Sequence, residues 1–380
     1  MSTTTTPTPS PAPKKTPTPT PTRSSGSFRD YVMRVVVGTE LLTIPVAIII
    51  AFAVGAVLMV IAGVNPLDAY AALFSGAFGT PQHIADTLIE ATPLALIGVG
   101  IALCFRGGIF NVGAEGQFLL GGMAAAVVGG ALPTAPQPLV LLAMAIAALI
   151  AGAAWAAIAA LLKVYLNASE TLTTIMLTYV ATYLVSFLLN GPAKDPASPL
   201  AQTVPLTSSG LLPALWPGTT LHVGIILALI VAIAAHYFLR RRVGGFQLVA
   251  AGLNPVAARS AGLPVRRIFI SVFLASGALA GLAGMVQVAG VQGKMIVNLS
   301  PGYGYTAIVV ALLGRSTPIG AFFAALFFGA LSAGGAAMET SVGVPASLVI
   351  IVQYLTVLLV IAYTAFRTLR RPSRVAEGEE

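Results

Sequence analysis

The stretch Cys104–Gly122, CFRGGIFNVGAEGQFLLGG, sets an arginine, an asparagine, a glutamate, a glutamine and six glycines among apolar neighbours. With no nucleophile or metal-ligand cluster beside them, Asn111, Glu115 and Gln117 offer hydrogen bonding. On a helix, residues 111 and 115 share a face, while 117 lies about 200° round from 111 at roughly 100° per residue. Asn111 and Glu115 are therefore expected to line one surface together, with Gln117 turned to another neighbour. That surface either borders a path for a polar solute or knits helices whose glycines let them approach closely. The residue types leave both readings open.

Other polar groups form weaker patterns. Thr174, Thr178 and Thr182 repeat every four residues and put hydroxyls on one helix face. They could line the same path or bond back to their own helix. In NLSPGYGYTAIVVALLGR, Asn298–Arg315, the residues Pro301, Gly302 and Gly304 precede an apolar run, so a broken or re-entrant entry is expected. Tyr303 and Tyr305 could stack on a nucleobase or sugar face, or anchor at an interface. Asn167, Ser169 and Glu170 read as a helix cap.

Covalent chemistry finds no support. There is no G-x-x-x-x-G-K-[ST] loop, so this chain does not hydrolyse ATP by itself, and no Ser/His/Asp, H-E-x-x-H or paired-carboxylate arrangement. The lone Cys104 excludes a disulfide framework, and His83, His222 and His236 lack metal-ligand spacing.

The elements that must hold these residues are set by composition. Of 380 residues, 57% are hydrophobic and 8% charged, where a soluble domain carries roughly a quarter charged residues. The chain is thus an integral membrane protein. Residues 1–27, rich in Thr, Pro and Ser, read as a disordered tail without a secretory signal. Apolar runs then place spans near 41–63, 87–105, 109–130, 138–162, 170–190, 220–239, 267–290, 303–315, 318–338 and 346–366. This is an all-α bundle of about ten transmembrane helices, a membrane domain over 28–366 with a second tail at 367–380. Glu90, Glu115 and Glu339 are its few candidate intramembrane acids, a scarcity that weighs against an ion-coupled transporter.

With ten spans both termini lie on one side, and nearly every basic residue falls there too, leaving only Lys194 and Lys294 opposite. Under the positive-inside rule that side is the cytoplasm. The net charge of +8 then reflects orientation in the bilayer, and nucleic acid is not needed as a partner. The largest outside loop, about 191–219, is proline-rich, contains Trp216, and is expected to form an ordered cap.

The cytoplasmic connection RRRVGGFQLVAAGLNPVAARSAGLPVRR, Arg240–Arg267, gives two short helices around an Asn-Pro turn. Asn254 caps the second, Pro255 suits its first position, and Gly262 suits its stop. Ala257, Ala258 and Ala261 supply a small-residue surface for pressing into a groove on a partner. The alternative is a basic loop that merely anchors to lipid headgroups.

Here the chain resembles a known family. GLNPVAARSAGL is similar to the ATPase-docking loop of ABC importer permeases of the branched-chain amino acid, ribose and nucleoside group. SGALAGLAGMVQVAG, Ser276–Gly290, looks like the segment that follows it in that family. FRGGIFNVGAEGQFLLGG resembles the distinctive motif of the nucleoside and simple-sugar branch, and NASETLTTIMLTYVATYLVSFLLNGP, Asn167–Pro192, also matches. The likeness runs in order from about Leu41 to Arg367 and omits the Thr/Pro-rich tail.

The resemblance implies an internal inverted repeat and a transport subunit of a bacterial cell membrane that is no enzyme itself. It implies a second homologous permease, a cytoplasmic ABC ATPase carrying ATP and Mg, an extracytoplasmic substrate-binding protein, and no cofactor in this chain. On it, Asn111, Glu115, Gln117, Thr174, Thr178 and Tyr305 are expected along the substrate path. Gly252, Asn254, Pro255, Ala257, Ala258, Ala261 and Gly262 are expected at the docking loop. Nucleosides are the expected cargo. Simple sugars, branched-chain amino acids, an ion-coupled carrier and a non-transporting membrane scaffold are the alternatives.

Overall fold

The computed structural model describes residues 43–344 and further helical positions between 347 and 359. The tails 1–27 and 367–380, and most of the tenth expected span, lie outside the described residues. The described residues are helical, with two isolated bridges in place of strands. The helices are α1 (Thr43–Ile61), α2 (Pro66–Phe78), α3 (Pro81–Arg106), α4 (Ala114–Ala131), α5 (Gln137–Leu166), α6 (Glu170–Asn190) and α7 (Gly224–Arg241). They continue with α8 (Val243–Leu253), α9 (Pro255–Ser260), α10 (Val265–Gln287), α11 (Tyr303–Leu313) and α12 (Pro318–Val342).

Among the described residues six helices, α3, α5, α6, α7, α10 and α12, are long and apolar enough to cross a membrane. Their outer faces carry apolar residues, such as Leu142 and Ile150 on α5 and Ile230 and Ile233 on α7. A single soluble chain would not expose rows of this kind.

The centre is α3, buried at every position from Ala91 to Cys104. A helix apolar on all sides belongs inside a bundle. It starts six residues before the expected second span because Thr80 caps it, accepting from His83 N–H at 3.1 Å, and Pro81 suits its first turn. The expected loop 64–86 contains a further helix, α2, whose N-cap Asn65 accepts from Leu67 N–H at 3.1 Å.

Small residues let α10 reach its neighbours. A Cβ on Gly281 would collide with the Ala148 carbonyl of α5, and one on Gly121 of α4 with the Gly281 backbone. Backbones pack this closely only where side chains are nearly absent.

The expected third and eighth spans are composite. After α3 the chain turns through Gly107 and Gly108, the latter at φ +69, and residues 109–113 are not helical. From Gly108, which lies against Gly252, they run back inward, with Asn111 bonded to Ser276 and Gly113 against Thr174, before α4 begins. After α10, a π-helical turn (Val288–Gln292) and non-helical residues 293–302 lead back to α11. The two units, α3 with α4 and α10 with α11, follow one plan in opposite directions. α3 runs toward the end of the bundle that carries Arg106 and Arg315, and α10 starts from that basic end with Arg266 and Arg267.

At the opposite end, residues 191–223 are stapled to the chain after α10. Thr203, Leu206 and Leu212 donate their N–H groups to the carbonyls of Met295 (3.0 Å), Gly293 (2.7 Å) and Ala289 (2.9 Å). The cap expected there is ordered.

Candidate functional site

The two composite spans bring the amino ends of α4 and α11 together. Glu115, in the first turn of α4, accepts from the Gly304 N–H in the first turn of α11 at 2.6 Å. A helix amino end presents unpaired N–H groups and a partial positive charge, so one carboxyl caps a neighbouring helix here. A Cβ on Gly304 would collide with the Glu115 backbone, so the meeting requires glycine. Ser300 caps α11 from its own chain, its hydroxyl accepting from Gly302 N–H (3.0 Å) and Tyr303 N–H (2.9 Å).

Tyr303 is buried. Its ring meets Phe118 edge-on with centroids 5.9 Å apart, and its hydroxyl donates to Glu90 Oε2 at 3.0 Å. Ser332 of α12 donates to the same oxygen at 3.3 Å. Glu90 ends a polar column on α3: Gln82 Nε2 donates to Asp86 at 2.7 Å and to the Thr220 hydroxyl at 2.8 Å. Residues 82, 86 and 90 repeat every four, so the column was visible as a pattern, although only Glu90 stood out in the sequence.

Asn111 is held differently from its helical projection. Its Nδ2 donates to Gln117 Oε1 (2.8 Å) and Ser276 Oγ (3.0 Å), and Gln117 Nε2 returns a bond to Asn111 Oδ1 (3.2 Å). Residue 111 precedes the helix that starts at 114, so the 100° rule does not apply to it, and its partner is Gln117 rather than the face of Glu115. All three side chains are buried. Ser276 completes the set and was not singled out from sequence.

Thr174 and Thr178 are buried on α6, where they bond back to the carbonyls of Glu170 (2.7 Å) and Thr174 (3.0 Å). They face the backbones of Gly113 and Gly116. The other face of α6 carries exposed Met176, Tyr179, Tyr183 and Phe187. Tyr305 on α11 is 38% exposed and lies within electrostatic reach of both Glu115 and Tyr179. Glu339 is exposed near the end of α12, away from this centre.

At the basic end, α8 and α9 form the expected elbow. Asn254 accepts from Val256 N–H (3.1 Å) and Ala257 N–H (3.0 Å), Pro255 opens α9, and Gly262 follows it at φ +81. Ala258 turns inward onto Ala251 and Val265, leaving Ala257 and Ala261 on the surface. Val243 and Phe246 are bare at the start of α8, and beside the alanines Leu253 (83%) and Val256 (66%) are left bare at the tip. Neither was picked out from sequence, because an exposed Leu or Val has no signature there. Gly252 sits against the Arg106 carbonyl and Gly107, with no room for a Cβ. The elbow therefore rests directly on the turn that starts the inward segment 109–113.

A multi-spanning helical bundle, with two helices meeting amino end to amino end at a polar centre and an apolar-tipped elbow on its basic end, is built as a membrane permease. Residues 83–361 match the family described as branched-chain amino acid transport system / permease component, and the chain belongs to that family. It is 36% identical over 343 residues to a glucose ABC transporter permease of Haloferax volcanii, covering 88% of this chain and 89% of the relative. It is 34% identical over 333 residues to a guanosine ABC transporter permease of Bacillus subtilis, covering 87% and 95%. A nucleoside ABC transporter permease of Lactococcus lactis is 32% identical over 316 residues, covering 81% and 86%.

Proposed function

We propose that this chain is a permease subunit of an ATP-driven ABC importer that moves nucleosides inward by alternating access. The observation that carries the mechanism is the elbow locked onto the α3–α4 turn through Gly252. A push on Leu253, Val256, Ala257 and Ala261 from an ATPase has a rigid route through that turn, along 109–113, to the meeting of Glu115 with Gly304. Rocking α4 against α11 there would open one side of the bundle and close the other. Asn111, Gln117 and Ser276 tie the 109–113 segment to α4 and α10, Thr174 and Thr178 pack on Gly113 and Gly116, and Tyr305 and Tyr179 present exposed rings to a solute. Aromatic faces suit a nucleobase.

The basic end lies in the cytoplasm under the positive-inside rule, with the tails 1–27 and 367–380 on the same side. The working unit adds a second homologous permease, a cytoplasmic ATPase that binds ATP and Mg, and a binding protein outside. Bacillus subtilis and Lactococcus lactis each hold a second permease related to this chain, at 28% and 29% identity, which supports the pairing. The Haloferax relative favours a second cargo, a simple sugar. Uptake of labelled nucleoside and labelled glucose into vesicles holding the full assembly decides between them. Nucleoside uptake that needs ATP and the binding protein supports the proposal. Uptake by this chain alone, abolished by collapsing an ion gradient, would replace it with a secondary carrier.

A further inference from the structure

Glu90 is an intramembrane acid that takes no part in the mechanism proposed above. One oxygen of its carboxyl receives both the Tyr303 hydroxyl of α11, at 3.0 Å, and the Ser332 hydroxyl of α12, at 3.3 Å. The Tyr303 hydroxyl is also within hydrogen-bonding reach of the Gln287 side chain at the end of α10. A phenol donates one hydrogen bond and accepts another, so α3, α10, α11 and α12 all meet around this one group.

The first turn of α11 is thus held at two successive residues by carboxyls from two different helices. Glu90 of α3 takes Tyr303, and Glu115 of α4 takes Gly304. The two holds differ in kind. A helical N–H points along the helix axis, so the bond from Gly304 fixes how far α11 reaches toward α4 and leaves its rotation open. The Tyr303 hydroxyl stands well off the axis, at the tip of its ring, and tethering it fixes the rotation. Beyond Tyr303 the inward face continues as buried Ala307 and Val310, which are apolar and offer no directional hold. Val310 lies against Gly98 of α3, where a Cβ would come within 3.0 Å of it.

Rotation decides where Tyr305 points. At about 100° per residue, positions 303 and 305 lie about 200° apart, on opposite sides of the helix. The burial agrees, with Tyr303 5% exposed and Tyr305 38%. We propose that Glu90 is a positioning residue: by tethering Tyr303 it sets the rotation of α11 and so aims the Tyr305 ring at the solute. Its bearing on the solute rests on the importer function proposed above, whereas the tether does not.

The test attaches a nitroxide to Tyr305→Cys in a Cys104→Ser background and records its spectrum with the full chain in nanodiscs. With Glu90 and Tyr303 intact, one dominant spectral component is expected. Tyr303→Phe removes only the hydroxyl and should raise the share of a second component about fivefold, one net hydrogen bond's worth of preference. Glu90→Leu should do the same, and Glu90→Gln, which keeps an oxygen for the hydroxyl, should restore most of the single component. Tyr303→Phe decides the matter if Glu90→Leu does not fold. An unchanged spectrum at 305 in Tyr303→Phe would overturn the tether, even where the melting midpoint falls. So would an equal change in a label at Ile150→Cys on the outer face of α5, which would report general loosening. In the assembled importer, Tyr303→Phe should lower maximal nucleoside uptake severalfold and leave the half-saturating concentration in place. Full maximal uptake by Tyr303→Phe would overturn the part that concerns the solute. If the unsubstituted assembly takes up no nucleoside, the importer function falls and the spectra still decide the tether.

Discussion

Removing the carboxyl of Glu115 tests the meeting of the two helix amino ends. In the native protein this buried group accepts the Gly304 N–H at 2.6 Å and sits between two helix amino ends. A hydrogen bond to a charged group is worth about 1.5–3 kcal/mol net, and a carboxylate in a partly buried site at a helix amino end adds up to ~2 kcal/mol. Glu115→Ala loses both, strands the Gly304 N–H away from water and leaves a void, so it should cost about 3–4 kcal/mol. Glu115→Gln keeps an oxygen for the same N–H and retains a neutral bond of about 1 kcal/mol, so its cost should be about half as large. Thermal unfolding of the purified protein reads the difference at roughly 1–1.5 °C per kcal/mol for a chain of this length. The expected order is wild type, then Glu115→Gln, then Glu115→Ala. Equal midpoints for all three would refute the capping role and, with it, the picture of two helix ends sharing one carboxyl.

Four further outcomes concern other parts of the molecule. Asn254→Ala should cost about 1 kcal/mol at the elbow by removing its cap, and Val256→Glu should abolish co-purification with the ATPase while leaving the melting midpoint unchanged; normal co-purification of Val256→Glu would count against docking at this tip. Gly281→Leu drives a side chain into the Ala148 carbonyl and should prevent accumulation of folded protein, read by fluorescence-detected size-exclusion chromatography. His222 lies in the cap segment before α7, with Nδ1 accepting from Gly224 N–H at 3.1 Å and Nε2 buried without a partner. Burial pushes its pKa down from 6.5 to about 4. The unfolded chain therefore takes up this proton first, so the stability is complete above pH 6.5 and is lost between 6.5 and 4, at about 1.4 kcal/mol per pH unit. Going from pH 7 to pH 5 should cost roughly 2 kcal/mol from this group, and His222→Asn, which keeps an acceptor for Gly224, should flatten that part of the thermal profile.

Much of the bundle was legible because apolar runs and caps are local signals. The spans at 138–162 and 170–190 lie within or on α5 and α6, and the Asn-Pro turn at 254–255 sits where its capping chemistry places it. The glycines at 107–108 and 302–304 marked both breaks. They did not say how long the irregular backbone continues, since residues 109–113 are as apolar as a helix and are drawn inward by tertiary contacts. That is why Asn111 pairs with Gln117. Burial was the other hidden quantity: Ala257, Ala258 and Ala261 look alike in sequence, yet only Ala258 faces the small core of the elbow. Thr174 and Thr178 could point to a path or to their own helix, and the backbones of Gly113 and Gly116 against them leave the second arrangement.

On the proposed mechanism, force on the elbow reaches the polar centre. The most direct test places Tyr305→Cys in a Cys104→Ser background within the assembled importer and follows its reaction with a polar thiol reagent, without nucleotide and with ATP trapped on the ATPase. Labelling rates that differ severalfold between the two states, and that no longer differ when Val256→Glu is added, are the predicted result. Identical rates in both states, in a protein that still imports its solute, would contradict the route from elbow to centre.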